Sequence, residues 1–267
     1  MKPICVMTIA GSDSSCGAGI QADLKTFSAL GVYGVSVITA ITSQNSLSIR
    51  SIHGIEPEIV KDQIEAIFDD FNVCAVKVGM LYSKQIIQIV VSQLKKHFLI
   101  PIIVDPIIIS TTGKVLLEYK AIDIMKYELF PLANIITPNI TELEFLTGID
   151  LLSDNDVKNG CSKLYNQVKT NILVKGGHRK DMACDILYDG SDFHYFSEEK
   201  IGTSEYHGTG CTLSSAIASY LGIGFDMISS IDKAKKYVTQ SIRSSYKLGK
   251  GMNMLNHFWN SDLIIKY

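Results

Sequence analysis

The densest chemistry in the chain is His207-Gly208-Thr209-Gly210-Cys211-Thr212, which opens directly into the apolar run Leu213 to Leu221. Two glycines spaced by one residue let the backbone bend so that successive amide protons converge. A helix behind them adds the positive end of its macrodipole. The product is an anion site with a thiol, Cys211, inside it. The helix terminus is expected to raise the acidity of that thiol. Cys211 could then take a proton from an attacking hydroxyl, or simply help hold the turn. Gly-X-Gly before a helix is also a common helix start with no ligand, so the company it keeps must decide.

That company falls at strand ends. Ile4 to Ala10 reads as a strand running into Gly11-Ser12-Asp13-Ser14-Ser15-Cys16-Gly17-Ala18-Gly19, after which Ile20 to Leu30 repeats apolar residues at helical spacing. Val35 to Ile41 is β-branched and apolar, as in a strand covered on both faces, and the polar Thr42-Ser43-Gln44-Asn45-Ser46 follows it. The spacing predicts a helix over Pro57 to Phe71, a strand Val73 to Val78 ending in Gly79-Met80, and a helix from Ser83 to about His97. Pro101 to Asp105 is a buried strand with an acid at its carboxyl end. A helix near Leu116 to Phe130 precedes the strand Asn134 to Thr137, and Pro138-Asn139-Ile140-Thr141-Glu142 turns into a short helix ending at Gly148. Ser153 opens another helix, and Ile172 to Lys175 delivers Gly176-Gly177-His178. Cys184 to Tyr188 and Phe193 to Phe196 form a hairpin across an Asp-Gly turn, and a long helix runs from Asp226 to about Leu248. This alternation argues for a mostly parallel sheet with helices on both faces, in which ligands bind outside the carboxyl ends of the strands. One polar residue after a strand is an ordinary turn former. Six strand ends in succession carrying polar or glycine groups need a shared reason.

Composition narrows the partner. With 267 residues, 46% of them hydrophobic, the chain can bury a large core, and one α/β domain over 1–267 is expected, without repeat or linker. A net charge of -2 leaves no basic footprint for nucleic acid or an anionic membrane, so the partner is expected to be small. No run is apolar enough to span a bilayer, and the start reads straight into a strand with no signal-peptide region. Six scattered cysteines without a Cys-X-X-Cys pair look like the reduced thiols of a cytoplasmic protein, and the histidines make no zinc cluster. Neither Gly-X-X-X-X-Gly-Lys-Ser/Thr nor Gly-X-Gly-X-X-Gly after the first strand occurs, which disfavours P-loop and NAD-binding Rossmann enzymes. Any phosphoryl group must then be held by the turn from Gly208 to Cys211.

Gly11-Ser12-Asp13, Gly17-Ala18-Gly19-Ile20-Gln21-Ala22-Asp23, Gln44-Asn45, Lys77-Val78-Gly79-Met80, Asp105-Pro106, Thr137-Pro138-Asn139 with Glu142, Lys175-Gly176-Gly177-His178 and the turn at 207–212 together carry a family resemblance. They resemble the hydroxymethylpyrimidine/phosphomethylpyrimidine kinases of thiamine biosynthesis, members of the ribokinase-like superfamily. The match spans almost the whole chain in order. It implies a three-layer α-β-α sandwich with a mostly parallel central sheet and a small β-hairpin. The implied activity is ATP-dependent phosphorylation of the hydroxymethyl group of 4-amino-5-hydroxymethyl-2-methylpyrimidine, then of the monophosphate.

By that resemblance the amides of Gly208, Thr209, Gly210 and Cys211 hold the moving phosphoryl oxygens. Cys211 is the candidate base, or an anion-hole member only. Asp105 and Glu142 face Mg²⁺, although Glu142 three residues after Asn139 is also what a helix capping box requires. Lys175, Asn139 and Thr209 meet nucleotide phosphates. Gln44 has an amide that can pair with a ring nitrogen and an exocyclic amine, Met80 offers a soft face to the ring, and Gly11 and Ala18 border it. Asp23 is expected to bind a ring substituent or hydroxyl. The superfamily often dimerises, so a homodimer is implied. Ser15-Cys16 replaces a glycine pair common in the family's first loop, and Ile107-Ile108 stands where Val-Met is frequent. A pyridoxal kinase of the same lineage is the alternative. Some such relatives carry a lid cysteine, and Ser110 occupies the loop where it would stand. A pyrimidine-binding regulator without catalysis is a third reading, and the intact phosphoryl residues argue against it.

Overall fold

The computed structural model describes residues 3–108, 116–176, 182–202 and 206–261. Gly177, His178 and Ser110 lie outside the described residues. Nine strands form one sheet in the order β3-β2-β1-β4-β5-β6-β7-β8-β9. Its centre is β1 (Cys5–Asp13), which pairs in parallel with β2 (Tyr33–Gln44) on one side and β4 (Val73–Val78) on the other. From β4 the parallel run continues through β5 (Ile102–Val104), β6 (Ile135–Ile136) and β7 (Asn171–Val174). Strand order reverses at β1, and such switch points open a crevice at the carboxyl ends of the strands.

Two edges are antiparallel. β3 (Ile49–Gly54) folds back on β2 and was not expected, since its short mixed sequence carries no clear alternation. The hairpin of β8 (Met182–Tyr188) and β9 (Phe193–Glu199) closes the other edge, with Gly190 at φ +101° in its turn. β2 also runs three residues beyond its expected end, carrying Gln44 as its last residue.

Helices cover both faces. α1 (Gly19–Ala29), α7 (Thr209–Ile223) and α8 (Met227–Arg243) pack Phe27, Ile217 and Ile231 against one face. α2 (Pro57–Asp70), α3 (Lys84–Leu94), α5 (Ile140–Thr147) and α6 (Asp154–Val168) pack Ile64, Ile87, Leu143 and Leu164 against the other. Between α3 and α5 the expected regular helix is a chain of short turns: a 3-10 turn Tyr119–Ala121, α4 (Ile122–Ile124), a π turn Met125–Leu129 and a 3-10 turn Phe130–Leu132. Pro131 explains the irregular end, because it lacks an N–H and its ring crowds the carbonyl four residues back. α8 stops at Arg243, short of the expected Leu248. Beyond it Tyr246 exchanges backbone hydrogen bonds with Met254, next to the two-stranded pair of β10 (Tyr206–His207) and β11 (Asn253–Met254).

Candidate active site

The carboxyl ends of the strands surround a cavity of about 340 Å³. Gly11, Ala18, Gln44, Met80, Asp105, Asn139, Glu142, Lys175, Gly208, Thr209, Gly210 and Cys211 all line it. Of the described residues given a role in binding or catalysis from the sequence, only Asp23 does not.

The turn before α7 is built by backbone contact. Gly208 is the N-cap at φ +81°, in the left-handed region that favours glycine. A Cβ there would fall 1.8 Å from the Gly17 carbonyl oxygen, so the first loop and this turn touch main chain to main chain. No side chain caps α7, which leaves the amides of its first turn, Thr209 to Cys211, to face the cavity. A Cβ on Gly210 would lie 3.2 Å from Lys175 Nζ and 3.5 Å from Asp105 Oδ2, which sets the cation and the carboxylate directly against the turn.

Asp13 organises the first loop. Its carboxylate accepts hydrogen bonds from the Ser15, Gly17 and Ala18 amides and the Ser15 hydroxyl. His207 Nε2 lies 2.9 Å from Asp13 Oδ2 and ties the loop to the turn. Burial alone would raise the Asp13 pKa, but these bonds, led by that of His207, hold it below the usual carboxylate range. The Gln44 amide end sits 2.8 Å from the same His207 nitrogen. One ring nitrogen cannot both donate to Asp13 and accept from an amide. With its proton on Nε2 the ring donates to Asp13, and with its proton on Nδ1 it accepts from the NH₂ of Gln44, whose oxygen accepts from Thr42 Oγ1 at 3.3 Å. Gln21 clamps the loop from below, accepting from the Asp13 amide and donating to Ser12 Oγ.

On the opposite wall, Lys175 Nζ donates to Asp105 Oδ1 at 2.6 Å and lies 3.9 Å from Glu142 Oε2. Thr137 donates to the same Asp105 oxygen, and Asp105 is almost fully buried. Asn139 and Glu142 form a complete capping box, each side chain accepting from the other's backbone amide at 2.8 Å. The cap is therefore real, and the carboxylate still lines the cavity. Burial raises the Glu142 pKa to about 7, with Asp105 adding to the rise and Lys175 opposing it. Lys175 is also desolvated, yet Asp105 and Glu142 raise its pKa above the ordinary lysine value.

Two expectations need correction. Asp23 is fully buried on α1 and is not among the residues that line the cavity. It accepts from Thr8 Oγ1, Ser215 Oγ and Lys77 Nζ, because a carboxylate with no solvent must find donors inside the fold. The Cys211 thiol is not acidified. Burial pushes its pKa up to about 11, with Asp23 and Asp105 adding to the rise, and Lys77 opposes them. Desolvation outweighs the helix terminus.

Asp13, His207 and Lys77 also line the cavity and were quoted in the motifs without a role. Lys77 did leave a signal, as the one charge in an otherwise apolar strand, Val73 to Val78. Ser12, quoted in the first-loop motif, and Ile107, singled out as a departure from the family pattern, line the wall too, and Met252 does so with no comparable signal.

A mostly parallel sheet with a glycine turn at the start of a helix and a lysine–carboxylate cluster at its strand ends places the chain among small-molecule kinases of ribokinase-like architecture. The sequence pattern of the phosphomethylpyrimidine kinase family matches residues 13–256, and the chain belongs to that family. It is 43% identical over 253 residues to the thiamine biosynthesis bifunctional protein of Geobacter sulfurreducens, covering 94% of this chain and 52% of that protein. The chain thus spans about half the length of that relative. The crystal structure of phosphomethylpyrimidine kinase from Clostridium difficile matches with a TM-score of 0.79 and 45% identity, over 90% of this chain and 99% of that one. Pyridoxal kinase from Staphylococcus aureus, in complex with AMP-PCP and pyridoxal, matches with a TM-score of 0.89 and 28% identity, over 98% and 96%.

Proposed function

We propose that this site transfers the γ-phosphoryl group of ATP to the hydroxymethyl oxygen of 4-amino-5-hydroxymethyl-2-methylpyrimidine, and in a second round to the phosphate of the product. One observation carries the reading: Gln44, the Gly208 to Cys211 turn, and the Asp105, Glu142 and Lys175 cluster line the same cavity. Family membership and the relatives named above support the substrate class.

Gly11, Ala18 and Met80 enclose the ring, and Gln44 pairs with its polar edge. The turn amides grip the phosphoryl oxygens as charge shifts in a loose transition state. Cys211, as the thiolate formed once its own proton has passed to solvent, takes the hydroxyl proton while the oxygen bonds to the γ-phosphorus. The bond from that phosphorus to the bridging oxygen breaks, and ADP leaves with the electron pair. A thiol pKa near 11 means that Cys211 is neutral before the reaction. Ionising it at pH 7, with its proton passing to solvent, costs about 5 kcal/mol, which the site must offset before the thiolate can accept the hydroxyl proton.

Lys175, Asn139 and Thr209 hold nucleotide phosphates. Among the described residues no cluster of three metal-binding side chains exists. Two carboxylates of hard oxygen, Asp105 and Glu142, fit a Mg²⁺ bound mainly through phosphates and water. When bound, that ion neutralises phosphate charge. We extend the reading to a homodimer, as the family resemblance implies, which sedimentation of the purified chain would check, and to the cytoplasm on the ground of its unpaired cysteines. No described helix is long and apolar enough to cross a membrane.

The test is ADP release by purified protein with MgATP and, separately, the hydroxymethylpyrimidine, its monophosphate and pyridoxal. Turnover of both pyrimidines is expected, and Cys211→Ala should lower it at least ~100-fold with pyrimidine binding kept. Turnover of pyridoxal alone would overturn the substrate. Near-normal turnover by Cys211→Ala would remove Cys211 from the proton-transfer role.

A further inference from the structure

Where α1, β4 and α7 meet lies an ion pair with neither side chain exposed. Lys77 Nζ sits 3.0 and 2.9 Å from the two oxygens of Asp23, and both side chains are fully buried. Such a pair is weak support for stability, since desolvating two charges offsets most of their attraction and apolar residues of similar volume often serve as well. β4 is otherwise apolar at Val73, Ala75, Val76 and Val78, so a hydrophobic residue at position 77 would suit the strand. The placement of the pair suggests another use. Ser215, which donates to Asp23 Oδ1 at 2.7 Å, stands one helical turn after Cys211 on the same face of α7. Lys77 and Cys211 line the same cavity. A Cβ on Gly79 would fall 2.8 Å from Lys77 Nζ, so the strand end is kept bare where the ammonium lies.

We propose that Lys77, gripped by Asp23 beside α7, is a positioning residue whose fixed charge favours formation of the Cys211 thiolate, which then takes the substrate hydroxyl proton. The proposal rests on the reading of Cys211 as proton acceptor. Four charged groups bear on that thiol from the surrounding elements: Lys77 on β4, Asp23 on α1, Asp105 after β5, and Lys175 after β7. Burial and the two carboxylates oppose ionisation, while Lys77 is the largest influence favouring it. Asp23 costs some of that benefit, but it keeps the buried lysine charged. Burial would pull the Lys77 pKa down, and Asp23, Cys211 and Asp105 together hold it above the ordinary value.

The experiment is alkylation of the full-length protein by iodoacetamide at pH 8, with each cysteine followed by peptide mass spectrometry. A one-unit rise in thiol pKa slows the reaction about threefold, because the loss of thiolate is partly offset by greater nucleophilicity. Lys77→Met should slow labelling of Cys211 about threefold or more. Because that change strands a buried carboxylate, the paired variant Asp23→Asn/Lys77→Met removes both charges and should also slow Cys211. Buried Cys161 and Cys184 report folding and should stay unlabelled in both. In turnover, both variants should lower kcat with little change in KM for the pyrimidine. Wild-type labelling of Cys211 in a folded paired variant would overturn the proposal. So would labelling of every buried cysteine in both variants, which would make the pair a staple of the fold. Near-normal turnover by Cys211→Ala would instead sink the proton-acceptor reading, whatever the labelling rates, so the two failures are distinct.

Discussion

Replacing Glu142 by glutamine should flatten the fall of stability with rising pH. In the folded chain the Glu142 carboxyl titrates at about 7, against 4.5 for the free group, because it is buried beside Asp105. The folded state therefore keeps its proton in a range where the unfolded chain has lost it. The stability this gives is fully present below pH 4.5 and is lost as pH rises through 7. At ~1.4 kcal/mol per unit the whole loss is about 3 kcal/mol, of which about 2.5 kcal/mol falls between pH 5 and pH 8. Glutamine keeps an oxygen for the Asn139 amide and carries no charge, so it preserves the cap and removes the titration. Urea unfolding of wild type and Glu142→Gln, free of nucleotide and divalent cation, should give curves that diverge by that amount, with the variant more stable at pH 8. Parallel curves from pH 5 to pH 8 would refute the reasoning. Magnesium with nucleotide should rescue the wild type at pH 8 more than the variant, because a cation beside two ionised carboxylates relieves their repulsion.

Two further changes probe the cavity from its other sides. Gly208→Ala must adopt a left-handed backbone and place a methyl 1.8 Å from the Gly17 oxygen, so it should cost at least ~2 kcal/mol and abolish turnover. Thermal unfolding close to wild type would contradict that contact. Gln44→Ala removes the amide that His207 orients, and calorimetry should show pyrimidine affinity about 10- to 100-fold weaker with nucleotide affinity unchanged. Equal pyrimidine affinity would discredit the ring-facing role of Gln44.

Much of the architecture was legible because burial on both faces leaves a plain mark. Val35 to Ile41 and Val73 to Val78 read as central strands, and both pair with β1. The Asp-Gly turn of the hairpin was equally plain. The β3 edge strand was not, since an edge with one exposed face carries neither a continuous apolar run nor, in Ile49–Gly54, a clean alternation. The stretch ahead of Pro131 had helical spacing, but spacing alone does not separate α from 3-10 and π turns. Asn139 and Glu142 were expected as a capping box, which they form, and Glu142 lines the cavity besides.

From sequence alone came the turn at Gly208 to Cys211, the polar residues at successive strand ends, and the family those motifs resemble. Each rests on local backbone chemistry: glycine where no Cβ fits, an apolar period that names an element, a polar residue where that period stops. Tertiary structure alone decided that Asp23 faces Lys77 instead of the cavity, that His207 joins Asp13 to Gln44, and that burial makes Cys211 a weaker acid than an ordinary thiol. Those outcomes depend on distances between residues 54 to 194 positions apart and on how much water the fold leaves around them, and neither quantity is written in a local pattern.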